Sequence, residues 1–158
     1  MRFIGDSIAK TDAKGRVFLP STFRKQLERA GVTRLILRPD PFQRCLVLYT
    51  EAHWNEMLDE MRSRLNAWNG THRAVMRQFV ADAEEVEPDG NGRLLLTKRK
   101  MLYAGIEQEV RFLGVDDRIE IWDRATCEAE LKAGEEMLGE KLQELMGGYP
   151  QTTNPLND

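Results

Sequence analysis

Two short blocks of this chain carry its most chemically suggestive residues. Asp12-Ala13-Lys14-Gly15-Arg16 is followed by Val17-Phe18-Leu19, and Asp89-Gly90-Asn91-Gly92-Arg93 by Leu94-Leu95-Leu96. In each, an arginine stands four residues past an aspartate, with a glycine just before it. Asp can accept from backbone N–H groups ahead of it and Gly tolerates positive φ, so both blocks predict tight turns. An arginine at the tip of such a turn presents a planar fork that matches phosphate oxygens or the O6/N7 edge of guanine. The competing expectation is that each Arg pairs with its own Asp and only stiffens the turn. Turn chemistry alone leaves the two open.

Other residue types point to little chemistry. His53 and His72 belong to no metal-spaced motif and read as surface or capping histidines. Cys45 and Cys127 are in no Cys-x-x-Cys pair and read as reduced, packed thiols. There is no Gly-x-Ser-x-Gly, phosphate loop or dinucleotide fingerprint. Glu84, Glu85 and Glu87 read as a solvated strand edge. No enzyme, metal or cofactor is expected.

The charge distribution is uneven, which fits either a polyanionic partner or ordinary solvated faces. The net charge of the 158 residues is −3, but residues 10–44 hold nine basic against three acidic side chains. Residues 89–100 hold four against one, and residues 120–145 reverse the balance at three against eight. The openings of two segments are therefore basic and the end is acidic. No apolar run approaches the ~20 residues of a membrane helix, and Arg2-Phe3-Ile4-Gly5-Asp6 has no signal-peptide core. A cytoplasmic protein without a membrane partner or small-molecule substrate is expected.

Something must hold the two arginines, and the sequence supplies it twice. After each turn comes a short helix (23–30 and 98–104), a stop at Gly31 or Gly105, and two strands (34–38 and 45–49; 110–113 and 119–122). A strand is expected before each turn as well, at 3–9 and 83–87. Ser21 and Thr97 read as N-caps, and Pro39 and Pro41 as breaks between strands. The near-continuous apolar strands predict burial on both faces. Trp54, Met57, Leu58, Met61, Leu65 and Trp68 predict a core-facing helix over 51–68. A linker helix over 71–80 turns Val75, Met76, Phe79 and Val80 inward. Leu131, Leu138, Leu142 and Leu145 form a sparser stripe in a helix over 123–146. Residues 147–158 read as a disordered tail.

The expectation is an α+β chain of two tandem β-rich half-units sharing a pseudo-twofold core, with flanking amphipathic helices. Its divisions are 1–66 for the first repeat with its trailing helix, 67–82 for the linker helix and 83–146 for the second repeat with its C-terminal helix. A pseudo-twofold axis would bring both turns to one face.

At this point the residues resemble a known family. Asp12-Ala13-Lys14-Gly15-Arg16-Val17-Phe18-Leu19-Pro20 is similar to the strand-turn signature of AbrB-type swapped-hairpin transcription factors. Two such units in one chain, with Pro39-Asp40-Pro41-Phe42-x-Arg44-Cys45-Leu46 and the block at 89–93, resemble the MraZ family over residues 1–145. The resemblance implies a bacterial regulator of the division and cell-wall gene cluster. It implies binding to repeated short G-rich boxes in double-stranded promoter DNA, including the protein's own promoter, assembly into a ring-like homo-oligomer, and association with the nucleoid. It places DNA contact on Arg16, its counterpart Arg93, and Lys14 as a phosphate neighbour. Asn91 stands where the first turn has Lys14, and Thr97 where it has Pro20. Lys98, Arg99 and Lys100 could supply further phosphate contacts. The alternative is a protein-interaction module of the same fold that regulates by binding another protein. A salt-steep affinity for duplex DNA separates the two.

Overall fold

A computed structural model describes residues 1–148. The expected tail at 147–158 lies almost wholly outside the described residues. Residues 1–124 form one compact unit, and the chain from Ala125 onward a second.

Within the first unit, eight strands build two sheets. The first half contributes β1 (Phe3–Lys10), β2 (Arg16–Phe18), β3 (Leu35–Pro39) and β4 (Leu46–Thr50). The second contributes β5 (Glu84–Val86), β6 (Arg93–Leu95), β7 (Glu109–Asp116) and β8 (Arg118–Asp123). The larger sheet runs β1-β7-β8-β4-β3-β5, and β2 pairs β6 in a two-stranded ribbon. All pairings are antiparallel. Exchanging each strand for its counterpart in the other half reverses this order and leaves it unchanged, which is the signature of a pseudo-twofold axis. Each half lends its first strand to the other: β1 runs along β7, with Phe3 opposite Asp116, and β5 runs along β3, with Val86 opposite Leu35. Neither half can close its own sheet.

The core follows from the patterning. β3 and β4 are buried on both faces apart from a half-buried Pro39, as their apolar runs require. β1 alternates, with Ile4, Asp6, Ile8 and Lys10 outward. Phe3, Val17, Leu19, Phe23, Leu37, Leu48, Leu94, Leu96, Phe112 and Ile121 share one cluster drawn from both halves.

The short helices α1 (Ser21–Arg29) and α4 (Lys98–Ala104) begin differently and end alike. Thr97 caps α4, its side chain accepting from Lys100 N–H. Ser21 is not a cap: it is the first helical residue, and Pro20 precedes it without a side-chain cap bond. Both helices stop on a left-handed glycine. Gly31 and Val32 donate to Glu28 and Leu27, and Gly105 and Ile106 donate to Leu102 and Met101.

Helix α2 (Glu51–Arg64) is shorter than its apolar spacing predicts. It ends at Leu65, whose backbone is extended, and Trp68 is 96% exposed rather than packed. Of the expected stripe only Trp54 is fully buried; Met57, Leu58, Met61 and Leu65 are half-buried. Asn69 caps α3 (Gly70–Ala81) by accepting from His72 N–H. There Met76 and Phe79 are half-buried, while Val75 and Val80 face solvent, against expectation. Phe79 stacks on Trp54 at 5.3 Å and lies 4.2 Å beneath the Arg38 guanidinium. The second unit is the helix α5 (Arg124–Met146), whose Leu131, Leu138, Leu142 and Leu145 are exposed. No described helix is long and apolar enough to cross a membrane.

Candidate nucleic-acid interface

The two turns are built alike, bond for bond. In the first, Asp12 N–H donates to Arg16 O at 2.8 Å and Gly15 N–H to Asp12 O at 3.0 Å. Asp12 Oδ1 accepts from the N–H groups of Lys14 and Arg16, both at 2.9 Å, and Oδ2 accepts from Arg16 Nε at 2.6 Å. In the second, Asp89 N–H reaches Arg93 O at 2.8 Å and Gly92 N–H reaches Asp89 O at 2.9 Å. Asp89 Oδ1 accepts from Asn91 and Arg93 N–H, and Oδ2 from Arg93 Nε at 2.9 Å. The N–H of the arginine, reinforced by its side chain and by the N–H of Lys14 or Asn91, holds each aspartate carboxyl below its ordinary range. Gly15 and Gly92 supply φ of 83° and 81°.

Each arginine therefore does pair with its own aspartate, one of the two outcomes that turn chemistry left open. The pairing uses only Nε. Among the described residues, Nη1 and Nη2 of Arg16 and Arg93 donate to no protein acceptor. The anchored Nε leaves the two terminal nitrogens of each fork without a protein partner among the described residues, so the pairing positions the arginine without consuming it; the Arg16 and Arg93 side chains are 35% and 23% exposed.

The ribbon brings the two forks to one face. Val17 and Leu94 are directly opposite and point into the core. By alternation, Arg16, Phe18, Arg93 and Leu95 point out. Arg16 stands opposite Leu95, and Phe18 opposite Arg93. The arginines thus occupy one diagonal of a four-residue face, at strand positions whose backbones are typically about 7–8 Å apart, with one turn at each end of the ribbon. Phe18 and Leu95 occupy the other diagonal and are 55% and 53% exposed. The Arg93 guanidinium lies 6.0 Å from the Phe18 ring centroid.

The turns also lock the halves together. Leu96 N–H donates to Gly15 O at 2.8 Å and Leu19 N–H to Gly92 O at 2.9 Å. A residue absent from the expected site lies beside the second turn. Arg24 is anchored by its Nε on Leu19 O at 2.9 Å, and its side chain would lie 3.0 Å from a Cβ at Gly92. Its counterpart beside Gly15 is Met101. Both stand four residues after the equivalent positions Pro20 and Thr97, so aligning the repeats one helical turn further marks the position.

Lys14 is exposed at the first turn and Asn91 at the second. The cluster at 98–100 is divided. Lys98 and Arg99 are exposed, whereas Lys100 is buried on α4 and paired with Glu84, so it has no free face for a phosphate. Glu85 in turn lies 3.8 Å from Arg34.

Elsewhere, Asp40, Cys45 and Glu120 are buried with their polar atoms within 4.8 Å of one another. Their separation in sequence hides this cluster. Every carboxylate oxygen in it already accepts a bond: Asp40 from Phe42 N–H and Cys45 Sγ, Glu120 from Trp122 Nε1 and Arg118 Nε. Burial, ahead of the neighbouring Glu120 and Asp40, raises the Cys45 pKa, so its thiol stays protonated. The cluster is two abutting sets of hydrogen bonds, one within the β3–β4 turn and one within β8. Cys127, on α5, is likewise buried.

Comparison with known proteins fits this architecture. The family model "MraZ protein, putative antitoxin-like" matches the chain twice, over residues 3–78 and 79–146. A protein of Phocaeicola vulgatus named transcriptional regulator MraZ is 53% identical over 147 residues, covering 93% of this chain and 95% of its own. One of the same name from Bacteroides fragilis is 50% identical over 154 residues, covering 98% and 97%. Another, from Salmonella paratyphi A, is 32% identical over 150 residues, covering 90% and 98%. With the doubled turn, the exchanged strands and these matches over nearly its whole length, the chain belongs to the MraZ family.

Proposed function

We propose that this chain is a transcriptional regulator that binds duplex DNA through the β2–β6 ribbon. The observation that carries the reading is the shared outward face of Arg16 and Arg93, each held by Nε with its terminal nitrogens unclaimed among the described residues. A two-stranded ribbon fits a major groove ~12 Å wide, and a guanidinium fork matches guanine O6 and N7. Arg16 and Arg93 read base edges, and Lys14 contacts a neighbouring phosphate. Because the ion pair to its own aspartate uses Nε, the positioned fork keeps its terminal nitrogens for a base edge. The relatives' name, transcriptional regulator MraZ, supports the same reading and speaks for a binding protein rather than an enzyme.

The targets are short, repeated G-rich boxes in the promoter of the protein's own gene and of the division and cell-wall genes. One chain offers few cations, so its non-specific affinity is on the order of 10⁻⁴–10⁻⁶ M at physiological salt. Self-association into a ring raises the effective concentration of ribbons along spaced boxes without new contacts. The protein works in the cytoplasm, at the nucleoid.

The test is fluorescence anisotropy on a duplex from upstream of the gene and on a scrambled duplex, across a salt series. Wild type is compared with Arg16→Ala and Arg93→Ala. Selective binding that weakens with salt, at a log–log slope of about −0.9 per phosphate neutralised, and is lost in Arg16→Ala supports the reading. Equal, weak binding to both duplexes by all three proteins overturns it in favour of a module that binds another protein.

A further inference from the structure

We propose that Phe18 and Leu95 form a thymine-reading pair, contacting the C5 methyl groups of A·T pairs that flank the guanines read by Arg16 and Arg93. The inference rests on the DNA-binding reading and adds a second recognition element to it. Phe18 and Leu95 occupy equivalent positions of the two repeats, both point out of the ribbon, and both are more than half exposed. The core claims the residue between the arginine and the apolar side chain in each strand, Val17 and Leu94, and leaves this outer pair uncovered.

Register sets what the pair meets. Each apolar residue stands directly opposite an arginine, Phe18 against Arg93 and Leu95 against Arg16. Directly opposed side chains have Cβ atoms about 4.5–5.5 Å apart, slightly more than the ~3.4 Å base-pair rise within one strand. An arginine fork seated on guanine therefore sets its cross-strand neighbour over an adjacent base pair. On the floor of the major groove the apolar group on offer is the thymine methyl, and Phe is among the residues that contact it. The face thus combines two polar readers on one diagonal with two apolar readers on the other.

The experiment uses the full chain and two synthetic upstream duplexes, one natural and one with every thymine replaced by deoxyuridine, which removes only the methyl groups. A scrambled duplex is the control. The proteins are wild type, Phe18→Ala/Leu95→Ala and Phe18→Leu. Burying one methyl contributes about fourfold in affinity, so wild type should bind the deoxyuridine duplex about fourfold more weakly per methyl contacted. The double variant should bind natural and deoxyuridine duplexes alike, while still preferring both to the scrambled one. Phe18→Leu, which copies the Leu95 side chain, should keep the methyl sensitivity.

Two results overturn the inference alone: wild type indifferent to the methyl groups, or a double variant weakened on both duplexes but as methyl-sensitive as wild type. The latter would mean that Phe18 only braces Arg93. A wild type that does not prefer the natural to the scrambled duplex overturns this inference and the DNA-binding reading together. Melting temperatures of the variants, whose changes lie on an exposed face, should stay close to wild type.

Discussion

Gly15 and Leu96 meet main chain to main chain: Leu96 N–H donates to Gly15 O at 2.8 Å, and a Cβ on Gly15 would lie 2.3 Å from Leu96 O. The first turn is thereby pressed against the opposite half, and Gly15 is required for two reasons, its φ of 83° and the absence of space. Gly31 has a φ of 69° but, among the described residues, nothing within 4 Å of its would-be Cβ. Gly31→Ala should cost only the left-handed strain, about 1–2 kcal/mol. Gly15→Ala adds a clash with backbone that no rotamer change can relieve, and should cost clearly more. Urea unfolding of the two variants measures the difference. Equal losses would show that the turn is free to move off Leu96.

The aspartates predict a pH dependence. Folded Asp12 and Asp89 carboxyls lie below the ordinary value of 3.8, held there by the arginine N–H and then by the remaining bonds to each carboxylate. A carboxyl depressed on folding stabilises the native state fully above its unfolded pKa and loses that contribution as pH falls through the folded one. Both turns should therefore stay formed at pH 5–8 and loosen only below about pH 4. Carboxyl titration by NMR should show both midpoints below those of unpaired surface aspartates. Asp12→Asn keeps an acceptor for the two N–H groups but loses the charge facing Arg16. Its stability should become flatter across the acid range.

Phe79 pins α3 through Trp54 on one side and the buried Arg38 guanidinium on the other. Arg38 Nε also donates to Phe79 O at 3.4 Å, so side chain and main chain hold the same helix. Phe79→Ala removes the ring from both partners. Because Phe79 is half-buried, the loss should be about 2–3 kcal/mol, below the ~3–5 kcal/mol of fully buried aromatics. The released α3 amides should exchange with solvent faster, while those of β3 and β4 keep their protection. Uniform acceleration across the sheet would show instead that α3 is part of the global folding unit.

The repeat was legible because its turns are made by local chemistry. An Asp accepting two N–H groups ahead of it and a positive-φ glycine leave a mark in sequence at fixed spacing, and the structure repeats it bond for bond. The end of α2 is less legible for a reason of the same kind. Spacing carries the apolar stripe through Leu65 to Trp68, but Asn66 Oδ1 accepts from Trp68 N–H and Asn69 caps the next helix. Side-chain bonds to the backbone override periodicity there. Strand partners leave no residue-level mark at all. The alternation of β1 says that one face is buried, not that β7 lies beside it. Arg24 carries no such mark either, because its role beside Gly92 exists only across the interface between halves.

The asymmetry between Lys14 and Asn91 gives a test that needs no knowledge of the operator. If Lys14 contacts one phosphate, Lys14→Asn should make the salt dependence of DNA binding shallower by about 0.9, the value for one released counterion. The two turns share every backbone bond around that position, since Asn91 N–H donates to Asp89 Oδ1 as Lys14 N–H does to Asp12 Oδ1. Asn91→Lys should therefore place an ammonium where the first turn has one and steepen the slope by about the same amount. The reciprocal double variant should return close to the wild-type slope, with sequence preference unchanged throughout, because phosphate contacts carry no base information. If Asn91→Lys leaves the slope unmoved while Lys14→Asn lowers it, the ribbon meets the duplex obliquely, with the first turn against the backbone and the second lifted away from it.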